Sequence, residues 1–454
     1  MKSDSRRPRS TVGRADTKRR GLVQNSALAF GADFITKISA LVVLTVAGRS
    51  LPLRQFASVG AALAYASILL VALDGGAQLL IMRDGARTPE DRGRVFRELA
   101  HARLPICAAM LLGAAAIGLA AGNLAVMLGT TVYVIAGAAL TSLTGILRAS
   151  QDLMPESVVR LGAAMASVAA AALTCTTLSH RAGALMVALA IASIVPLGPL
   201  ALVARRRARF VRGDAAWPAL RRAFPLGLTA LAAVLYFRSG TIAVSILSTP
   251  AQTSRFTIAS SLAVGSLLPL ANAVQTALTP RLASMRDLDE RARLTRLALR
   301  WTIFAGAPIA AIAAVLGEPA IRILFGARFA PAGGPFAILC AEEFLIAVCG
   351  ILGTALIVAG AVRPVVHQTF LSLALYLPAL AILVPPLGAY GAALAELPCG
   401  SVALVFLLCV IRTTQREVLF GTSAPRRPRR LFDGEVEDPR GAVPTGKSRS
   451  EASL

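Results

Sequence analysis

Asp33 and Lys37 stand four residues apart inside an otherwise apolar run, 22–48, long enough to cross a bilayer. On a helix this i, i+4 spacing puts both on one face. An ionisable group at mid-bilayer depth costs ~3 kcal/mol on insertion scales and by default marks a function. Lysine is also scarce: Lys2, Lys18, Lys37 and Lys447 are the whole set, and the other three lie in polar tails. Two readings stand for the pair. It neutralises itself and so eases insertion, or Lys37 offers its charge to an anionic substrate while Asp33 orients it. Arg238, in Leu-Tyr-Phe-Arg-Ser-Gly, has no acidic residue within a helical turn. It must meet a distant carboxylate, a watery cavity or a ligand, and its planar fork suits phosphate. Tyr236 beside it reads either as core or as a surface for the apolar or sugar part of a substrate.

Further polar groups lie at membrane depth. Asn272 and Gln275 share a helix face and either line a cavity or glue helices together. Glu342 and Glu343 are adjacent, hence about 100° apart on a helix, and cannot both point to one spot. Glu396, next to Leu397-Pro398, is a third acid of this kind. These three are the candidates for proton or sodium coupling. Asp74, before Gly75-Gly76, reads as a cap or hinge, and Arg148 and Arg160 as anchors near the membrane surface. No Walker A, HExxH or GxSxG sequence is present, and His101, His180 and His367 are scattered. The six cysteines sit in apolar runs without metal-ligand spacing and read as small core residues. No catalytic residue, metal or cofactor is expected, and the chain is not read as an enzyme.

These residues need elements to hold them. The chain has 454 residues, 56% hydrophobic and only 16% charged, with a mean hydropathy of +0.67. A soluble domain is nearer a quarter charged, roughly 25%. Twelve spanning segments are expected: 22–48, 55–82, 100–121, 125–147, 153–178, 182–204, 222–247, 254–280, 297–317, 335–358, 364–385 and 388–411. Each has about 20 residues or more, as a hydrocarbon core of roughly 30 Å requires. With the N-terminus in the cytoplasm, the loops alternate between rich and poor in Lys and Arg, as the positive-inside rule demands. Arg49, Arg54, Arg181, Arg255, Arg322 and Arg328 are the basic residues left outside. Both termini are then cytoplasmic. The net charge of +23 is mostly topology, with a share for anionic lipid. Nucleic acid is not expected, because no aromatic residues interleave with the basic runs.

The domains follow. Residues 1–21 form a disordered basic tail, 22–204 a first six-helix bundle, 205–221 a basic cytoplasmic linker, 222–411 a second bundle and 412–454 a disordered tail. Lys37 and Arg238 sit at matching depth in the first helix of each half. That match points to a duplicated, all-α polytopic architecture related by an axis along the membrane normal, with one cation from each half aimed at a shared cavity. The stretch 318–331, within the largest external stretch at about 318–334, reads as an interfacial half-helix and a glycine turn.

Several motifs occur in a familiar order. Arg-Ala-Phe-Pro-Leu-Gly-Leu at 222–228 precedes Leu-Tyr-Phe-Arg at 235–238. Leu267-Leu268-Pro269, Thr279-Pro280-Arg281, Ile323-Leu324-Phe325-Gly326 and Arg328-Phe329 follow. Asn25, Ala47-Gly48-Arg49 and Asp74-Gly75-Gly76 with Arg83 open the chain. Over about 22–411 this resembles the Wzx-like branch of the multidrug/oligosaccharidyl-lipid/polysaccharide exporters, which flips O-antigen and exopolysaccharide precursors. The resemblance implies a MATE-like fold and alternating access in the bacterial inner membrane. It implies a lipid-linked oligosaccharide, of undecaprenyl-diphosphate type, as substrate, with membrane lipids, a polysaccharide polymerase and glycosyltransferases as partners. The chain departs from the family at Ser239-Gly240, where relatives often have an acid, and at 50–56, which lacks the usual Leu-Gly pair. A cation-coupled multidrug antiporter of the same superfamily predicts an acidic cavity instead. A non-transporting protein of envelope assembly predicts a sealed one.

Overall fold

A computed structural model describes residues 31, 34–85, 88–150, 153–178, 180–209 and 216–421. Asp33, the tail 1–21 and the end of the chain from 422 lie outside the described residues. Within them the chain is helical: α1 (34–50), α2 (Leu53–Asp74), α3 (Ala77–Asp84), α4 (Pro89–Ala120), α5 (Leu124–Ala149), α6 (Leu153–Leu173), α7 (Ala182–Ile194) and α8 (Leu197–Arg207). The second half holds α9 (Ala216–Leu247), α10 (Pro250–Ser284), α11 (Leu288–Phe325), α12 (Gly333–Val358), α13 (Val362–Leu387), α14 (Ala389–Thr413) and the single turn α15 (Glu417–Phe420). Ten helices are long and apolar enough to cross a membrane among the described residues. The chain is a multi-pass membrane protein on that ground.

Several segments differ from their expected bounds for local reasons. The second segment breaks after Asp74 because Gly75 and Gly76 both adopt left-handed backbone, φ 51° and 82°, which glycine takes without strain. Asp74 then caps the next helix, accepting from the Gln78 N–H at 3.4 Å. The sixth segment breaks at Val195-Pro196, where the ring removes a donor. α4 starts eleven residues before its apolar window, at Thr88-Pro89-Glu90-Asp91. Thr88 accepts from the Asp91 N–H at 3.1 Å, and two acids sit in the first turn, a strong N-terminal signature. α11 likewise begins at the Asp287 cap and runs through the expected external half-helix to Gly326. The tail from 412 is not wholly irregular. Its first residues complete α14, and α15 docks on α11 through buried Val418 and an Arg296 guanidinium on the Leu419 carbonyl.

Four apolar cores hold the bundle among the described residues, the smallest of them Ala66, Leu73, Val134 and Ala138 between α2 and α5. The largest joins both halves around Phe56, Phe256, Phe325, Phe329 and Tyr376. A second lies within the first half and takes in Ala219 and Ala223 from the start of α9. A third gathers α10, α11, α12, α14 and α15. The second core explains how the halves touch near Gly75-Gly76. There α9 crosses the helix break backbone to backbone: a Cβ on Gly227 would lie 2.7 Å from the Gly75 oxygen and from the Gly76 nitrogen. Small residues of this kind let membrane helices approach closely.

Gly76→Ala and Gly227→Ala are expected to destabilise the protein. The first adds the left-handed penalty of about 1–2 kcal/mol, and both force α9 off the break. Gly113→Ala, at a helical site with open space around it, is expected to leave stability unchanged or slightly improved. Thermal-unfolding midpoints in detergent check this, and equal midpoints for all three variants would contradict it.

Candidate functional site

α12 is the most enclosed of the candidate spans, with 56% of its apolar window buried. Acids on such a helix are necessarily interior. Glu342 is 1% and Glu343 6% exposed, and their 100° separation sends them to different neighbours. Glu342 meets α9: the Tyr236 hydroxyl donates to its Oε1 at 2.6 Å. Gly400 of α14 leaves it room, since a Cβ there would stand 2.6 Å from that same oxygen. Glu396 of α14 repeats the arrangement, accepting from the Tyr376 hydroxyl of α13 at 2.6 Å. The two tyrosine rings lie 5.1 Å apart at 48°. Two carboxyls and two phenols therefore form one hydroxyl-lined cluster across α9, α12, α13 and α14. The outer oxygen of Glu342 has no hydrogen-bond partner among the described residues.

Glu343 faces another way. Its Oε2 is also without a hydrogen-bond partner among the described residues, and Lys37 of α1 lies within Coulombic reach. This charge relation crosses from one half of the chain to the other. Lys37 is half-buried on a helix whose Phe34, Ile35 and Ile38 are exposed apolar residues. Arg238, on α9, is half-buried as well. It makes no hydrogen bond or ion pair among the described residues, and Tyr133 of α5 in the first half lies near it.

The remaining expected residues divide. Asn272 of α10 is exposed, whereas Gln275 is half-buried with its amide against Gly350 of α12. Tyr236 is 8% exposed and committed to Glu342, so it belongs to the acidic cluster. His101, His180 and His367 stay apart, and no group of three His, Cys, Asp or Glu side chains fits a metal ion among the described residues.

Three groups escape sequence reading. Tyr376 looks like one more apolar residue in Leu-Ala-Leu-Tyr-Leu-Pro, and nothing local marks its hydroxyl. Tyr133 is equally silent. Arg103 falls at the edge of an apolar window and reads as a loop cation. It is instead buried, donating to the Ser142 hydroxyl at 2.7 Å and to the Asp74 carbonyl, with its guanidinium 3.2 Å from the Asp74 carboxylate. The cap signature at Thr88 was the signal that could have found it, because it moves the helix start outward by three turns. Arg148 pairs with buried Glu156 through bonds of 2.9 and 2.6 Å, and Arg160 lies 3.8 Å away, consistent with anchoring roles.

Comparison with known proteins bears on this geometry. The chain superposes on a protein described as lipid II flippase MurJ in an inward closed conformation, with a TM-score of 0.70, 13% identity and coverage of 86% of this chain and 89% of that one. It superposes on an inward-facing multidrug resistance MATE family transporter of the MOP superfamily at 0.64, with 14% identity and coverage of 86% and 96%. The MATE multidrug transporter DinF-BH in complex with R6G matches at 0.62, with 15% identity and coverage of 88% and 96%. At such identities these likenesses show the fold. No curated protein sequence matches the chain. The family described as polysaccharide biosynthesis protein, Polysacc_synt_3, matches residues 48–333. With the fold of those transporters around its buried charges and that match over most of its length, the chain belongs to the polysaccharide biosynthesis protein family.

Proposed function

We propose that the protein is a flippase that moves a lipid-linked oligosaccharide, of undecaprenyl-diphosphate type, across the bacterial inner membrane for surface polysaccharide synthesis. The observation that carries this reading is Arg238, a cation inside the bundle without an anionic partner among the described residues. Family membership supplies the sugar. The proposed topology has twelve spans in two bundles of six with both termini cytoplasmic. α1 and α10, which are helical but not among the ten spans, complete the count.

In this scheme a headgroup carrying two negative charges meets cations on its path, because charge is costly to carry through a low-dielectric core. Arg238 grips the diphosphate as a fork. Lys37 is shared between the substrate and Glu343, and Asp33 orients it. Asn272 and Gln275 flank the route on α10. Glu342, Glu343 and Glu396 couple transport to protons, since hydroxyls that exchange protons are the bonded neighbours of two of them. The polymerase and glycosyltransferases of the same pathway are the proposed partners. A second reading has one observation in its favour: the acidic cluster would suit a cationic drug, as in a multidrug antiporter.

Arg238→Ala and Lys37→Ala are each expected to cut surface polysaccharide about tenfold or more, the value of a lost charge-assisted contact, at unchanged protein abundance. Arg238→Lys should retain part of the activity. Immunoblots of surface polysaccharide and of the protein check this, and normal polysaccharide in both alanine variants would sink the assignment. An antiporter would instead lose dye efflux in the variants of the acids.

Glu343→Gln is expected to make flipping of a labelled lipid-linked oligosaccharide in proteoliposomes insensitive to an imposed pH gradient. Glu156→Gln, at an anchoring pair, should leave the sensitivity intact. A Glu343→Gln variant that responds to the gradient like the parent would remove Glu343 from the coupling.

A further inference from the structure

Two of the six arginines that the loop charges leave outside have an unusual occupation. Arg49, in the last turn of α1, donates from Nε to the Leu324 carbonyl at 2.7 Å and from Nη2 to the Ile323 carbonyl. Both acceptors belong to the last turn of α11, which Gly326 ends at φ 99°. Arg328, in the 3-10 turn Ala327–Ala332, donates in return to the Gly48 carbonyl and, at 2.8 Å, to the Leu51 carbonyl. These acceptors close α1. Carbonyls in a final helical turn lack partners in their own helix and carry the negative end of its dipole. A guanidinium is the side chain best able to serve two of them at once. Each half thus caps a helix of the other, and neither arginine forms an ion pair among the described residues.

An apolar plug lies beneath. Phe56 of α2, Phe325 and Phe329 are each at most 1% exposed. Phe329 stands 5.5 Å from Phe56 and 6.4 Å from Phe325 between ring centroids. The Arg328 guanidinium lies over the Phe329 ring at 4.9 Å, so one residue both caps α1 and lids the plug. Gly48 admits Phe325 this closely, since a Cβ there would meet its ring at 2.9 Å. Fully buried Ser254 of α10 ties the same seam, donating to the Leu53 carbonyl at 3.1 Å.

We infer that Arg49 and Arg328 form a reciprocal clasp that holds the external seam between the halves shut, and that the outward opening of the carrier releases both together. The inference rests on the proposed alternating-access reading for its meaning, but its chemistry suits a reversible gate. Its bonds are to neutral carbonyls at the membrane edge, and water replaces them when the seam parts. A carboxylate partner would leave two charges to be resolvated at each cycle. The clasp also accounts for two exceptions to the positive-inside pattern.

The test uses purified full-length protein in detergent carrying Ser254→Cys. Maleimide labelling is followed peptide by peptide by mass spectrometry. Exposed Cys409 sets the rate scale, and fully buried Cys340 reports unfolding. Arg49→Ala combined with Arg328→Ala should raise labelling at position 254 about tenfold while Cys340 stays protected, with smaller rises in the single variants. If only the double variant exposes Cys340, the single variants decide, with the rise expected at 254 alone. Unchanged labelling at 254 overturns the clasp. So does an equal rise at Cys340 in the single variants, which would show that the arginines hold the fold and not the seam. No substrate enters this measurement, so it fails or succeeds separately from the polysaccharide assays.

Discussion

Inside hydrocarbon a polar group must find its partner in the protein, because no water is there to serve it. Most of the interior of this bundle obeys that constraint at short range. Arg103 is met by Asp74 and Ser142, and Arg148 by Glu156. The hydroxyls of Tyr236 and Tyr376 each take one carboxyl. Even the helix breaks comply: Asp74 serves the amide that Gly75-Gly76 would leave open. Against this background stand Arg238, one oxygen each of Glu98, Glu342 and Glu343, the Arg103 Nε and the Thr302 hydroxyl, which have no hydrogen-bond partner among the described residues. A sequence selected for stability alone would have replaced them, because a satisfied apolar core is no weaker than a half-satisfied polar one. Such groups in the interior are what the proposed flippase would use for its charged substrate.

How far the sequence revealed this depends on whether the governing interaction is local. Gly75-Gly76 was legible because two adjacent glycines after an aspartate are a local signal for a break. Lys37, Arg238, Glu342, Glu343 and Glu396 were legible as oddities in apolar runs. What each touches was not, since the neighbours are far away in the chain: Tyr236, 106 residues from Glu342, is brought to it only by packing. Helix ends illustrate the same divide. Hydropathy windows close where charge begins, so α4 and α11 were cut short, although cap residues at Thr88 and Asp287 marked their true starts. α15 was missed because one turn docked by Val418 leaves no periodic trace. The matched depth of Lys37 and Arg238 in the sequence pairs two cations. The structure sets them near different groups of the opposite half: Glu343 for the first, Tyr133 for the second.

The two ends of the bundle solve the problem of touching without fusing in different ways. At the end that carries Gly76, α9 meets the first half through close backbone contact and the second apolar core. Arg222 adds charge there, 3.5 Å from Asp84 and 3.6 Å from Glu98, without a hydrogen bond to Glu98. At the other end the arginines cap helix termini over three phenylalanines. The first contact is mainly one of shape and decays steeply as the helices separate. The second consists of hydrogen bonds that water can replace one for one. The proposed alternating access needs seams of comparable strength, or one state dominates. Two unlike seams meet that need better than two copies of one. Each can be tuned by its own residues, glycine size at one end and arginine chemistry at the other, without altering the charges between them.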